Sequence, residues 1–156
     1  MRRFLIVAMV LISFSFVSGP LSAQSRTDEA EIIRSVLQTE RKAVVAANMD
    51  FTEAESQGFW PVYDEYQKGL RKIHEKTAIL IMEYARNYQT MTDDEADALL
   101  KDCLAVEKER LNLKRSFVKK FSKVLSPKKV ARYYQIENKI EAIVKNELAK
   151  EIPLVQ

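Results

Sequence analysis

Three times this sequence places a small hydroxyl residue behind an apolar one at the head of a long amphipathic stretch: Phe51-Thr52-Glu53-Ala54-Glu55, Met91-Thr92-Asp93-Asp94-Glu95 and Leu125-Ser126-Pro127-Lys128-Lys129. In the first two, the Thr hydroxyl can accept the third backbone N–H of a helix while Glu55 or Glu95 reaches back to the cap's own N–H, so two otherwise orphaned donors are satisfied together. In the third, Pro127 sits at the first helical position, where its missing N–H costs nothing, and Leu125 can staple onto Val130. The capping residues are thus Thr52, Glu55, Thr92, Glu95, Ser126 and Pro127. A chain punctuated this way folds into long helices separated by short turns.

The residues between the caps agree. Gly and Pro are sparse and no strand-like alternation appears, so the fold class is all-α, with helices expected at about 28–48, 53–88, 93–124 and 127–150 and a tail over 151–156. In the first helix, Ile32, Ile33, Val36, Leu37, Val44 and Val45 recur at helical spacing, although Glu40 and Arg41 break the stripe. The second carries Phe59, Tyr63, Tyr66, Leu70, Ile73, Thr77, Leu80, Tyr84 and Tyr88 over roughly 50 Å of helix, with Pro61 predicting a kink or break and Gly58 loosening the same turn. The third carries Ala96, Leu99, Cys103, Val106, Arg110, Leu113, Phe117, Phe121 and Val124, a near-heptad stripe that predicts an antiparallel hairpin with the second. In the fourth the stripe runs through Val130, Tyr133 or Tyr134, Ile136 or Glu137, Ile140, Ile143, Val144 and Leu148.

Ahead of these helices, residues 1–23 read as a secretory leader: Arg2 and Arg3, an apolar run from Phe4 to Val17, then Gly19-Pro20 and small Ser22 and Ala23. The run is shorter than the ~20 residues needed to span a bilayer, so cleavage after Ala23 and no lasting membrane insertion are expected; a retained anchor is the alternative. Residues 24–150 then form a single helical domain. Cys103 is the only thiol, which rules out an intrachain disulfide in an oxidising compartment and leaves stability to packing or to a partner chain. The net charge of +3 conceals an asymmetry: Gln24–Leu100 has 9 basic and 15 acidic residues, a net of −6, whereas Lys101–Lys150 has 14 basic and 6 acidic, a net of +8. Electrostatic function is therefore local, and export argues against nucleic acid as the partner.

A leader, an early apolar-Thr-x-x-Glu cap, a long charged hairpin and a late Leu-Ser-Pro-Lys-Lys cap together resemble the Spy/CpxP group of small periplasmic helical proteins, whose repeated signature is Leu-Thr-x-x-Gln. The two signatures fall on Phe51–Glu55 and Leu125–Lys129, with Phe51 in place of Leu, Ser126 in place of Thr, and Glu55 and Lys129 in place of Gln. The resemblance implies a bent four-helix hairpin that pairs into a cradle-shaped homodimer in the periplasm and holds partly folded proteins without ATP. It equally implies the family's other roles, envelope-stress modulation through docking on a sensor domain or accessory work linked to zinc.

The residues themselves offer one binding face. Arg110, Lys114, Arg115, Lys119, Lys120, Lys123, Lys128, Lys129 and Arg132 are interleaved with apolar groups such as Phe117, a pattern that would draw an unfolded client or an acidic partner and hold it loosely. The same pattern also describes a solvated outer helix face, and both readings stand. The aromatic set Phe59, Trp60, Tyr63, Tyr66, Tyr84, Tyr88, Tyr133 and Tyr134 lies mostly on the core stripe, with Trp60 and Tyr134 the better placed for exposure. Metal candidates are thin, His74 and Cys103 with Glu75. No phosphate loop, zinc-protease motif or nucleophile with a base is present, so no catalytic residue and no cofactor are expected.

Overall fold

The computed structural model describes residues 39–154. The expected leader over 1–23, the expected first helix before Thr39, and positions 155 and 156 lie outside them. Among the described residues the protein is all-α: α1 over 39–49, α2 Glu53–Asn87, α3 Asp93–Phe121 and α4 Pro127–Glu151, with no strand. The chain divides into two compact units, Met1–Ala47 and Asn48–Gln156, where the sequence reads as one domain over 24–150. The second unit contains α2, α3 and α4.

Each of these three helices begins at its hydroxyl residue. Thr52 accepts from the Glu55 N–H while the Glu55 carboxylate accepts from the Thr52 N–H at 2.9 Å, and Thr92 and Glu95 repeat the exchange at 2.8 Å. Ser126 accepts the Lys129 N–H, with Pro127 in the first turn. Immediately before the first cap, Asp50 takes a left-handed φ of 55°, which a short polar side chain tolerates, and terminates α1.

Pro61 does not divide α2, which runs unbroken for 35 residues, about 52 Å. A proline inside a helix costs ~3 kcal/mol. Complete burial of Phe59 and near-complete burial of Tyr63, on either side of it, returns ~1.5–3 kcal/mol for each ring and outweighs that cost. Gly58 likewise serves a different purpose from loosening a turn. A Cβ there would stand 3.0 Å from Val124 Cγ1, and one at Gly69 would stand 2.8 Å from Leu113 Cδ1, so Gly58 admits the turn that follows α3 and Gly69 lets α3 itself approach α2 closely.

The α2–α3 pair is an antiparallel hairpin closed by a turn at 88–92. As numbers rise on α2 they fall on α3 and the turn after it: Gly58 meets Val124, Glu65 pairs with Lys120 at 2.6 Å, Gly69 meets Leu113, and Lys76 pairs with Glu109 at 2.7 Å. Instead of reaching 124, α3 stops at Phe121. The N–H groups of Lys123 and Val124 bond three residues back and tighten the last turn, and Ser126, at ψ 154°, leaves the helical conformation ahead of Pro127. Helix α4 then returns along the hairpin, antiparallel to α3 and parallel to α2. Lys114 donates to Asn138, Arg110 to Glu141, and Gln67 to Glu137, while at the far end the Tyr84 hydroxyl donates to the Pro153 carbonyl at 2.6 Å.

The core occupies one end of this assembly and is largely aromatic. Phe59, Tyr63 and Tyr66 of α2, Phe117 and Phe121 of α3, and Tyr133 and Tyr134 of α4 are all buried. Tyr133 sits at the centre, its ring 4.7 Å from Phe121 and 5.1 Å from Phe59, within the range where tilted and edge-on ring pairs attract. Tyr134 is therefore a core residue, contrary to the expectation of exposure; its hydroxyl donates to the Lys114 carbonyl and its ring contacts Phe121. Trp60 is half-buried, its indole N–H donating to the Ser56 hydroxyl at 2.9 Å. Glu137, rather than Ile136, takes the buried stripe position, and accepts from Gln67.

Candidate functional site

The nine basic residues of the expected binding face separate into two groups. Five are held by the fold. Arg110 donates to Glu141 at 2.9 Å, Lys114 to Asn138 and over the Tyr134 ring, Lys120 to Glu65 and over the Phe117 ring, Lys129 to Glu55 and the Asp50 carbonyl, and Arg132 to the Asn48 carbonyl at 2.6 Å. Phe117 is buried against Tyr66 and Phe121, so it belongs to the core and not to a binding face. Arg115, Lys119, Lys123 and Lys128 are exposed and have no charged or hydrogen-bonding partner among the described residues.

Lys129 and Glu55 connect the first and third caps. Their side chains meet at 2.5 Å, and the same ammonium reaches the Asp50 carbonyl at 2.8 Å, where α1 ends. The Lys129 hydrogen bond, then the Thr52 N–H, hold the Glu55 carboxyl below its ordinary value of 4.5. The two positions that carry Glu and Lys where the resembled signature has Gln are thus opposite members of one ion pair. Glu95, with no cation beside it, is lowered by the Thr92 N–H and hydroxyl alone.

A second ionic cluster joins α3 to α4 midway along the hairpin. Arg110, its side chain only 13 % exposed, bonds Glu141 through Nη1. Its Nε is buried without a hydrogen-bond partner among the described residues, and Glu107 stands 3.7 Å away; Lys145 completes the group at 3.3 Å from Glu141. Burial raises the Glu141 carboxyl, but Arg110 and Lys145 outweigh it and leave the group below its ordinary value. The His74 ring nitrogen Nε2 lies 3.3 Å from Arg110 Nη1.

Several apolar residues of all three helices are exposed. In α3, Leu100, Leu104, Leu111 and Val118 face solvent, and on α2 so do Ile79 and Met82. Along α4, Ile143, Val144 and Leu148, expected on the core stripe, are exposed as well. The α4 residues fall where that stripe runs past the buried aromatic cluster that Tyr133 and Tyr134 join. Leu100 and Leu104 were not among the site residues read from the sequence; the signal for Leu104 was the seven-residue repeat Leu104, Leu111, Val118, lying on a face different from that of Val106, Phe117 and Phe121.

His74 and Cys103 are not brought together. In the hairpin register His74 lies beside Arg110, and Cys103 is seven residues, about 10 Å, further along α3. No group of three or more His, Cys, Asp and Glu among the described residues is arranged to hold a metal. Cys103 is exposed, and partial burial, then the carboxylates of Asp102 and Glu107, push its thiol up, which keeps it protonated and a poor nucleophile. No helix among the described residues is long and apolar enough to cross a membrane. Comparison with protein-family models, with curated proteins and with solved structures gave no match.

Proposed function

We propose that this chain is an exported, periplasmic, ATP-independent holdase-like protein of the Spy/CpxP type, acting as a homodimer on partly folded proteins. One observation carries the reading: the outward face of α3 interleaves exposed Leu100, Leu104, Leu111 and Val118 with Arg115 and Lys119, and Lys123 follows just past its end, all three cations without a partner among the described residues. A cation attracts the acidic stretches of a polypeptide over a Debye length, about 10 Å at 0.1 M salt, and a neighbouring leucine then gains ~25 cal/mol for each Å² of apolar surface it covers. Neither contact demands a particular sequence. Such a surface suits many clients and holds each weakly, which is what a holdase requires.

The test is aggregation of a chemically unfolded client with the purified chain in stoichiometric amount. Aggregation slows at low ionic strength and the effect shrinks as salt is added. A chain that leaves aggregation unaltered at low salt is not a holdase. Sedimentation tests the dimer: association should rise with concentration, and a concentration-independent monomer rules it out.

A further inference from the structure

Along α3, one face carries a heptad seam that nothing among the described residues covers. Lys101, Leu104, Lys108, Leu111, Arg115 and Val118 follow one another at alternating intervals of three and four, the spacing that keeps one side of a helix turned toward a partner helix. All six are exposed, Leu104 at 62 %, Leu111 at 47 % and Val118 at 38 %. The apolar residues occupy every d-like position and cations every a-like one. Lys101 is held by Asp97 within its own helix, whereas Lys108 and Arg115 have no partner among the described residues.

We infer that this seam is a docking site for an amphipathic helix of another protein, with leucine-like residues at one core position of its heptad and carboxylates at the other. Charge selects that occupant. A second copy in parallel register would stack Lys108 on Lys108 and Arg115 on Arg115, a like-charge arrangement that a coiled-coil seam disfavours. An acidic helix would place a carboxylate against each cation, with Arg115 offering the bidentate geometry that carboxylates match. The ~21 Å between Leu104 and Val118 provides three layers, enough for a weak, register-defined and salt-sensitive complex rather than a permanent one. The inference rests on the cationic apolar face of α3 being the binding surface, and it adds an ordered, helical partner to the unfolded clients proposed for that face.

The experiment uses the full chain and fluorescein-labelled synthetic helices of about four heptads, one with Leu and Glu at the two core positions and one with Leu and Lys. Anisotropy should show the Glu helix binding at least about tenfold tighter at low salt, and the double variant Lys108→Glu, Arg115→Glu should reverse the preference. Replacing Leu111 with Gln should weaken the Glu helix without altering its preference over the Lys helix. Both side chains of the double variant are exposed, and circular dichroism verifies that it is folded. Equal binding of the two helices, a preference that survives the double variant, binding to anionic vesicles with neither helix bound, or self-association that occludes the seam would each overturn the inference. Client aggregation is measured on the same samples. Lost helix selectivity with protection intact removes the seam alone, and lost protection with selectivity intact removes the holdase reading alone.

Discussion

The two ends of the second unit are built on different principles. Near the caps at Thr52 and Ser126, α2, α3 and α4 bury their aromatic rings against each other, with Phe59, Phe121 and Tyr133 entirely inaccessible to solvent. Toward the turn at 88–92 the same helices continue with the same periodicity, yet α4 is joined to the hairpin by the Arg110–Glu141 cluster and by Tyr84 on Pro153, while Ile143, Val144 and Leu148 remain exposed. One end is a core; the other is a pair of arms tied by polar contacts. The difference shows how a small helical protein can keep apolar surface available without unfolding, because the buried rings hold the helices together whether or not their outer faces are covered.

Three substitutions probe that contrast. The largest effect belongs to the aromatic end: Phe121→Ala removes a ring that contacts Phe59, Tyr66 and Tyr133, and should cost about 3–5 kcal/mol in urea unfolding. An effect under about 1 kcal/mol would show that the core lies elsewhere. The tie between core and arms should matter less. Arg110→Met leaves Glu141 half-buried without its strongest cation and should cost about 1–2 kcal/mol. Smallest of all, Leu104→Ala on the arm should move stability by no more than about 0.5 kcal/mol. If Leu104→Ala matched Phe121→Ala, the two ends would be energetically alike.

Acid sharpens the same comparison. Glu141 and Glu55 both titrate below 4.5 in the folded chain, so the stability each supplies is fully present above its unfolded value and is lost as pH falls through the folded one. Stability measured from pH 6 downward should therefore hold until about 4.5 and decline below it. In Glu141→Gln the decline should be shallower. A slope unchanged in that variant would remove Glu141 from the acid response.

Much of the skeleton was legible in the residues, because helix starts are local chemistry. Thr52, Thr92 and Ser126 each act within three residues of themselves, and no distant contact is needed to make them caps. What was not legible depends on the third dimension. Pro61 reads as a kink or a break until the burial of Phe59 and Tyr63 is known, and Tyr134 reads as an edge position until three helices are seen to converge on it. The basic run was visible as a run, but its division into structural and available cations was not. Lys129 finds Glu55 across 74 positions and Lys120 finds Glu65 across 55, separations over which spacing carries no information. Periodicity likewise placed Ile143 and Leu148 on a stripe without showing that the opposing helices leave them uncovered.

The central claim is that binding belongs to the outward face of α3 while the buried aromatic rings only hold that helix in place. The most direct measurement compares the wild-type chain with a triple variant, Leu100→Ser, Leu104→Ser, Leu111→Ser, in the aggregation assay, with thermal unfolding followed on the same samples. Because all three side chains already face solvent, the variant should melt close to the wild type and lose most of its protection of the client. Full protection from a normally folded triple variant would contradict the account.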